Sequence, residues 1–254
     1  MAQVQTGTKV LVGPLDISCD LHTATINHAS EMLDQTTFCN TTRSHLGGLF
    51  VSSVDAQGYV NLGSSLSDPM LFGAVSVPSS LVSVWPTGIQ VGSTMQTGRS
   101  FLSVIANYDF GGSVGTLLPF TFKAESEGDM IRIVTLDNAL SSAWSTTPNT
   151  SAAANLAHCS TGERLYAGLH VTALSTSLAA TISGVIQAAS SSGFASSSTR
   201  ITFSALSCKT GTFATPILAS ALSTDQPFLR SVITVSTGSS TGAQANGVIW
   251  VGVQ

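Results

Sequence analysis

The sequence predicts an all-β protein: an N-terminal β-sandwich or barrel with one short helix, followed by a second β-sandwich. Short apolar or alternating segments recur along the 254 residues, and Gly, Ser, Thr and Pro residues separate them. Only 9% of the residues are charged, although 43% are hydrophobic, and 39 Ser and 30 Thr residues replace the missing charges. A chain with so little solvating charge favours association with neighbours.

The first half of the chain contains most of the irregular segments. Residues 120–125 alternate strictly, with Phe120 and Phe122 on the inward side. Gly58 lies in a predicted hairpin turn that separates two strands. Residues 31–48 are long and polar, which is typical of a functional loop. The predicted strands of this half cover residues 9–13, 21–26, 47–54, 55–62, 101–108, 120–125 and 130–136.

One helix is predicted, over residues 67–73. Ser67 or Asp68 can cap its first turn, Pro69 suits the first helical position, and Gly73 suits the end. The second half has no segment with a helical period. Its predicted strands cover residues 164–174, 180–187, 199–206, 228–235 and 247–253.

Charge divides unevenly between the two halves. Residues 1–150 carry 11 acidic and 5 basic side chains, a net charge of −6, whereas residues 151–254 have a net charge of +2. Between them, residues 141–151 are rich in Ser and Thr around Pro148, which indicates a linker. We therefore predict domains at residues 1–140 and 152–254.

Composition also excludes several classes of protein. The chain is too apolar for a disordered protein and has too few Lys and Arg residues for a nucleic-acid binder. It has no apolar run of about 18 residues, so no membrane partner is expected, and its first residues lack signal-peptide features. Four dispersed cysteines, Cys19, Cys39, Cys159 and Cys208, are expected to be reduced and buried.

No motif points to catalysis, and we expect neither an enzyme nor a cofactor. Asp16, Asp20, Glu31 and Asp34 could hold a calcium ion, but their spacing matches no calcium loop, and an acidic edge is favoured instead. His170, between apolar residues on a strand, is expected to be packed or to lie between subunits.

Two stretches resemble a known family. Residues 16–18 (Asp-Ile-Ser), followed by the stretch from Glu31 to Leu49, resemble the major tail tube proteins of bacteriophages with long, non-contractile tails. Residues 193–203, Ala214-Thr215-Pro216 and the Val-rich terminal strand look like the C-terminal β-sandwich that is often fused to such proteins. The chain is about twice as long as many tube subunits, so an accessory domain or two tandem tube-like units would account for its length.

The resemblance implies a structural virion protein, assembled in the host cytoplasm, whose rings stack into a DNA-conducting tube. Its partners would be copies of itself, other tail proteins and passing viral DNA without specific binding. A hexameric ring is favoured, with a trimer of tandem domains as the alternative. The candidate lumen or inter-subunit acids are Glu31, Asp34, Asp55 and Asp109, their candidate basic partners are Arg43 and Arg99, and the candidate inter-ring loop contains Asp34, Thr36, Phe38, Asn40, Thr42 and His45.

Three alternatives remain open. A head decoration protein or a tail-tip protein would use similar β modules. A carbohydrate-binding module would need exposed aromatic side chains, and of Trp85, Trp144 and Trp250 the last lies in an expected core strand. A glycosidase ranks last, because it needs two facing carboxylates and the second half has only two acids.

Overall fold

The computed structural model of the protein describes residues 7–36, 42–60, 67–92, 98–156, 163–174, 181–207, 213–214, 218–221, 226–236 and 244–254. Within these ranges the regular secondary structure is β-strand apart from one short helix, which confirms the predicted all-β class. No helix in the described ranges is long and apolar enough to cross a membrane.

The fold comprises seventeen strands and one helix within the described residues. In chain order they are β1 (Lys9–Val12), β2 (Leu15–Asp16), β3 (Leu21–Asp34), β4 (His45–Tyr59), α1 (Ser67–Ala74), β5 (Ser80–Trp85), β6 (Gly98–Phe110), β7 (Pro119–Ser126), β8 (Ile131–Asn138), β9 (Asn149–Thr150), β10 (Ala154–Asn155), β11 (Arg164–Leu174), β12 (Thr181–Ala189), β13 (Ser197–Ser207), β14 (Phe213–Ala214), β15 (Leu218–Ala221), β16 (Phe228–Ser236) and β17 (Ala245–Val253).

The chain divides into two compact units, neither of which is continuous in sequence. Unit 1 comprises Met1–Ser18, Ser80–Ser100 and Ile131–Gln254, and unit 2 comprises Cys19–Ser79 and Phe101–Met130. This division differs from the predicted consecutive domains, because strands from both ends of the chain pair within unit 1.

Unit 1 is a sandwich of two antiparallel sheets. One sheet has the order β14-β11-β17-β8-β6-β5-β1-β2, with β15 also paired to β11, and the first residues of β6 contribute to it. The other sheet has the order β10-β16-β12-β13, with β9 paired to β16. Large apolar side chains from both sheets share one core, including Leu169, Ile249, Ile186 and Phe203. The sandwich thus buries one face of each sheet.

Residues 141–151, which we predicted to be a linker, are packed into unit 1. Trp144 is buried, forms a bridge with Ala245, and donates its indole N–H to the Asp137 carboxylate at 2.8 Å. Asn149 and Thr150 pair with β16. This role was missed from the sequence because the segment is rich in Ser and Thr and only one large residue, Trp144, anchors it.

Strand β5 was not predicted, although every residue from Leu81 to Trp85 is buried. The polar side chain of Ser83 interrupts its apolar run, so the run has neither strict alternation nor continuity. Several other predictions for this unit hold, since β11, β12, β13, β16 and β17 coincide with predicted strands to within a few residues.

Unit 2 is built on an antiparallel sheet in the order β3-β4-β7-β6. Its core contains Val54, Phe120 and Phe122, and Leu71 of the helix is also buried. Tyr108 donates its hydroxyl to the Asp68 carboxylate at 2.8 Å, which fastens the helix to β6. The predicted helix is confirmed, and the predicted inward side of β7 is correct.

Two local predictions for unit 2 are wrong. Residues 47–54 and 55–62 do not form a hairpin, because β4 runs without a turn through Gly58. Gly58 is needed for close packing instead, since a Cβ there would lie 2.1 Å from the Asp20 carbonyl oxygen. Cys19 is exposed and not buried. The other three cysteines lie outside the described residues.

Candidate assembly surfaces

One face of the unit 2 sheet is polar. Because side chains alternate along a strand and paired residues share a face, Thr25, Asp55 and Lys123 lie together on the side opposite the Phe122 core. Asn107 and Asp109 of β6 join this face beyond a bulge after Ile105. The predicted lumen acids Asp55 and Asp109 are therefore on the same surface.

The side chains of this polar face are held by short hydrogen bonds. Asn27 donates to Asp55 at 2.8 Å, and Asn107 donates to Asp109 at 2.6 Å. Lys123 and Glu125 form an ion pair at 2.7 Å, and the hydrogen bond that Lys123 donates to the Glu125 carboxylate raises the pKa of Lys123 above its ordinary value. Counting Asp55, Asp109, Glu125 and Lys123, the face has three carboxylates against one ammonium group.

A shallow depression of about 310 Å³ lies in this polar face. Hydroxyl, amide and charged side chains line the depression, and Ala56 and Phe122 also contribute to its lining. No group of three His, Cys, Asp or Glu side chains in the described part of the chain is placed to hold a metal ion.

The predicted loop over residues 31–48 is largely a β-hairpin. Strands β3 and β4 stay paired as far as Leu33 with Leu46 and Asp34 with His45. Gly48 lies where the register shifts, and a Cβ there would be 2.9 Å from the Glu31 carbonyl oxygen. The loop prediction was wrong because length and polarity do not distinguish a long hairpin from a loop.

The outer part of this hairpin is a two-stranded ribbon. Strand β7 pairs only with residues 53–59 of β4, so residues 28–34 and 45–52, which we call the arm, extend about 20 Å beyond the four-stranded part. At its base His28 Nδ1 lies 2.7 Å from Ser52 Oγ, and the His28 ring stacks on Phe50. A ribbon of two strands has marginal stability in water by itself.

The arm exposes large apolar side chains on both faces. Strand alternation puts Phe50 on the same side as His28, and Val51 on the opposite side. Leu49 is 79% exposed and Phe50 is 62% exposed. The full set of exposed apolar residues in the arm is Met32, Leu33, Leu46, Leu49, Phe50 and Val51. Exposed apolar patches of this kind are typical of interaction surfaces.

The predicted site residues of the first half fall into two places. Glu31, Asp34 and His45 are exposed in the arm, whereas Asp55 and Asp109 are on the polar face. Thr36 donates its backbone N–H to Asp34 at 2.8 Å, and hydrogen bonds from Thr36 lower the pKa of Asp34. Ser44 N–H donates to Thr36 Oγ1 at 3.0 Å, which joins the two sides of the connection. Thr42 is exposed, and Phe38 and Asn40 lie outside the described residues.

The two candidate basic partners differ in their surroundings. Arg43 is exposed next to the arm, in unit 2. Arg99 belongs to unit 1, where it is half-buried, donates to the Gly98 carbonyl at 2.8 Å and lies opposite Arg132 in the register. Burial and the charge of Arg132 lower the pKa of Arg99. Pairing of either arginine with an acid of another subunit stays a prediction.

The four acids considered for calcium do not form a cluster. Asp16 is in unit 1, where it pairs with Lys9 at 2.9 Å. Asp20 precedes β3 and Asp34 ends it, so about 46 Å of extended strand separates them. These positions do not converge on one ion.

Sequence reasoning missed a buried polar cluster in unit 1. His170 Nε2 lies 2.8 Å from Ser83 Oγ, which lies 2.7 Å from Ser100 Oγ, while His170 Nδ1 lies 2.6 Å from the Gly13 carbonyl oxygen. A Ser–His pair can serve as nucleophile and base in an enzyme. All three side chains are fully buried, so a substrate has no access to them. His170 is therefore a packed histidine.

No protein-family model matches the sequence, and no curated protein does either. The solved structures with a similar backbone include the following three. The virion of a native gene transfer agent particle has 17% identity over 51% of this chain and 97% of that chain, with a TM-score of 0.40. The tail of an empty gene transfer agent particle with C6 symmetry has 16% identity over 48% and 92%, with a TM-score of 0.38. The SPP1 Dit protein has 8% identity over 98% and 100%, with a TM-score of 0.39.

Proposed function

We propose that this chain is a structural virion protein, a major tail tube subunit of a tailed bacteriophage, which assembles into stacked rings around a DNA channel. The observation that carries the proposal is the arm. It exposes apolar side chains on both faces, and such a ribbon is stable only when other protein surfaces cover it. Its outer residues, 31–34 and 45–49, lie within the stretch that resembles the tail tube family.

The sheet of unit 2 is suited to forming the wall of a ring. Among the described strands of this unit, β3 is paired only to β4, so its outer edge is open for a strand of the next subunit. Closing the sheet into a ring removes exposed edges, which otherwise lead to aggregation. A ring of six is favoured over a ring of three, because the sandwich of unit 1 does not repeat the architecture of unit 2.

The polar face is the proposed lining of the channel. Asp55, Asp109 and Glu125 outnumber Lys123, so this face is net negative. A negative wall repels the phosphates of a passing duplex, whereas a basic wall would bind them. Viral DNA would then be a passing partner and not a ligand.

The alternative functions predict different structural features. A tail-tip or head decoration protein would use the same arm but would form a complex of fixed size. A carbohydrate-binding module stacks sugars on exposed aromatic side chains; Phe50, Tyr59, Phe72 and Phe110 are exposed, but Trp85, Trp144 and Trp250 are all buried. The sugar-binding alternative therefore lacks a tryptophan stacking platform.

Electron microscopy of the purified chain tests this proposal. We expect rings with a central channel that stack into tubes at high protein concentration. Replacing residues 29–51 by an Asn-Gly turn should abolish tubes while the chain stays folded, because unit 1 and the four-stranded sheet remain. Val91→Asp, a change at an exposed apolar residue of unit 1, is the control and should assemble normally. Single rings that never stack would indicate a tail-tip or decoration protein, and strict monomers would overturn the proposal.

A further inference from the structure

The smaller sheet of unit 1 carries positive charge without a carboxylate. Its strands and their described connections, residues 149–156, 181–207 and 226–236, contain Arg200 and Arg230 but no Asp, Glu or Lys. Both arginines are half-buried, and neither forms an ion pair with a described residue. Glu163, the one acid after residue 150 that the structure describes, adjoins β11 of the other sheet. A partly desolvated cation without a counter-ion is stabilised when it binds an anion.

Two contacts hold Arg230 in a fixed orientation. Arg230 lies opposite Gln187 in the register, on the face away from the core residues Ile186 and Leu229. Its Nε donates to Gln187 Oε1 at 2.9 Å, and its Cζ lies 4.3 Å from the centre of the Phe194 ring. The guanidinium group is therefore stacked on an aromatic face, which is a favourable contact for arginine. Its two terminal amino groups have no hydrogen-bond partner among the described residues.

The Phe194 ring is held in place by a tight turn. The backbone of Phe194 has a φ of 52°, in the left-handed region that bulky residues rarely adopt. Its N–H donates to the Ser191 carbonyl at 3.2 Å, and its side chain is buried. A residue keeps such a conformation only where the surrounding structure fixes it. The turn therefore provides a rigid support for the guanidinium group of Arg230.

The free groups of this site are all hydrogen-bond donors. Gln187 Oε1 already accepts from Arg230, so the amide of Gln187 presents its NH₂ group. The terminal amino groups of Arg230 form a fork that binds two oxygen atoms of one anion. A phosphate offers more acceptor oxygens than a carboxylate, so it can use the fork and the amide together. The donor set therefore favours a phosphate group.

A second arginine lies two strands away. Thr199 pairs with Gln187 on the side opposite Arg230, and Arg200 follows as the extra residue of a β-bulge. Two strand spacings, about 10 Å, separate the backbones of Arg230 and Thr199. Arg200 Nη2 donates to Gln226 Oε1 at 2.8 Å, which orients this side chain as well. Two arginines at this spacing suit a ligand that has more than one phosphate.

We propose that Arg230, stacked on Phe194 and next to Gln187, binds a phosphate group of a ligand that carries several phosphates, and that Arg200 contacts a second one. Phe194 is a positioning residue, because it acts through Arg230. The site lies in unit 1, whereas the arm belongs to unit 2. Binding of phosphate is therefore a property separate from tube formation.

Fluorescence anisotropy of labelled polyphosphate at physiological ionic strength tests the site. Arg230→Gln should weaken binding by about tenfold or more, because it removes two charge-assisted hydrogen bonds. Arg230→Lys keeps the charge but loses the fork, so it should weaken binding as well. The control is Arg164→Gln, which removes the same charge from an exposed position on the other sheet and should bind like the wild type. An equal loss from Arg164→Gln and Arg230→Gln would overturn the proposal, and thermal unfolding verifies that each variant is folded.

Other probes in the same assay identify the kind of anion. Polyglutamate that binds as tightly as polyphosphate would overturn the assignment to phosphate. Duplex DNA that binds through Arg230 would support the site and identify nucleic acid as the source of the phosphate, whereas binding of polyphosphate alone would support the site and exclude DNA.

A carboxylate of the chain itself is the remaining alternative occupant. Asp225 adjoins Gln226 in sequence and lies outside the described residues. Binding that appears only in Asp225→Asn would show that this carboxylate fills the site, and would overturn the proposal. A wild type and an Asp225→Asn variant that both fail to bind polyphosphate would overturn it too. None of these outcomes depends on rings or tubes, so failure of this site leaves the proposed function standing.

Discussion

The two units of the chain differ in how many of their large apolar side chains are exposed. Among the residues whose side chains the structure describes, thirteen large apolar side chains are exposed; twelve belong to unit 2 and one, Val91, belongs to unit 1. Unit 1 has two sheets that cover each other, whereas the arm of unit 2 has a second strand but no second layer. Unit 1 therefore depends on its own core for stability, and we propose that unit 2 completes its burial through partners.

The largest expected effects on stability, from Gly168→Ala and Leu169→Ala, are in the unit 1 core. A Cβ at Gly168 would lie 2.3 Å from Cζ2 of the fully buried Trp250. Gly168→Ala should therefore lower the free energy of unfolding by about 3 kcal/mol, because a packed indole cannot move aside. Denaturant unfolding measures this change. Gly193→Ala has open space around its Cβ and should change stability little. Equal stability of both variants would contradict the claim that unit 1 is tightly packed.

A second contrast is between a buried large apolar residue of unit 1 and an exposed one of unit 2. Leu169→Ala in unit 1 should cost about 2–5 kcal/mol, because Leu169 is fully buried. Phe50→Ala in the arm should change the stability of the dispersed chain by less than about 0.5 kcal/mol but should raise its assembly threshold. Thermal unfolding and light scattering separate these effects. A large loss of stability from Phe50→Ala would show that the arm is packed within its own chain.

The pH dependence of unit 1 provides a smaller effect. Burial lowers the pKa of His170 to about 4 from its ordinary value of 6.5. Because the folded chain holds this histidine neutral, its contribution to stability is complete above pH 6.5 and is lost as the pH falls toward 4. We expect a loss of about 2 kcal/mol between pH 7 and pH 5.

The variant His170→Gln isolates this contribution. Carboxylates titrate in both proteins, so the difference between their unfolding free energies at each pH reports His170. That difference should shrink as the pH falls from 7 to 5. A difference that stays constant over this range would mean that His170 is not neutral and buried in the folded chain.

Alternation along the sequence located most strands, but it could not locate the partners of the strands. Residues 120–125 and most strands of the second half were predictable because one face of each is buried. The division into units depends on pairing between β1 and β5 and between β8 and β17, which no local pattern encodes.

The candidate site was predicted only in part, for a physical reason. The sequence singled out residues 31–48 for their length and polarity, yet their exposed apolar side chains are what distinguish them in the structure. The cluster Leu46, Leu49, Phe50 and Val51 was a usable signal, but the interpretation of residues 31–48 rested on their length and polarity. Strand alternation did place Asp55 and Asp109 on one face once the register was known.

Hydrogen exchange of the arm amides tests the central claim most directly, that the arm is completed by neighbouring copies. The measurement compares residues 28–34 and 45–52 in the dispersed chain and in the assembled form, with strands β11 and β17 of unit 1 as the internal reference. We expect the arm amides to exchange quickly in the dispersed chain and to slow by at least about tenfold on assembly, while the reference strands stay protected in both. Arm amides that are already protected in the dispersed chain, or that exchange equally fast in assembled particles, would contradict this account.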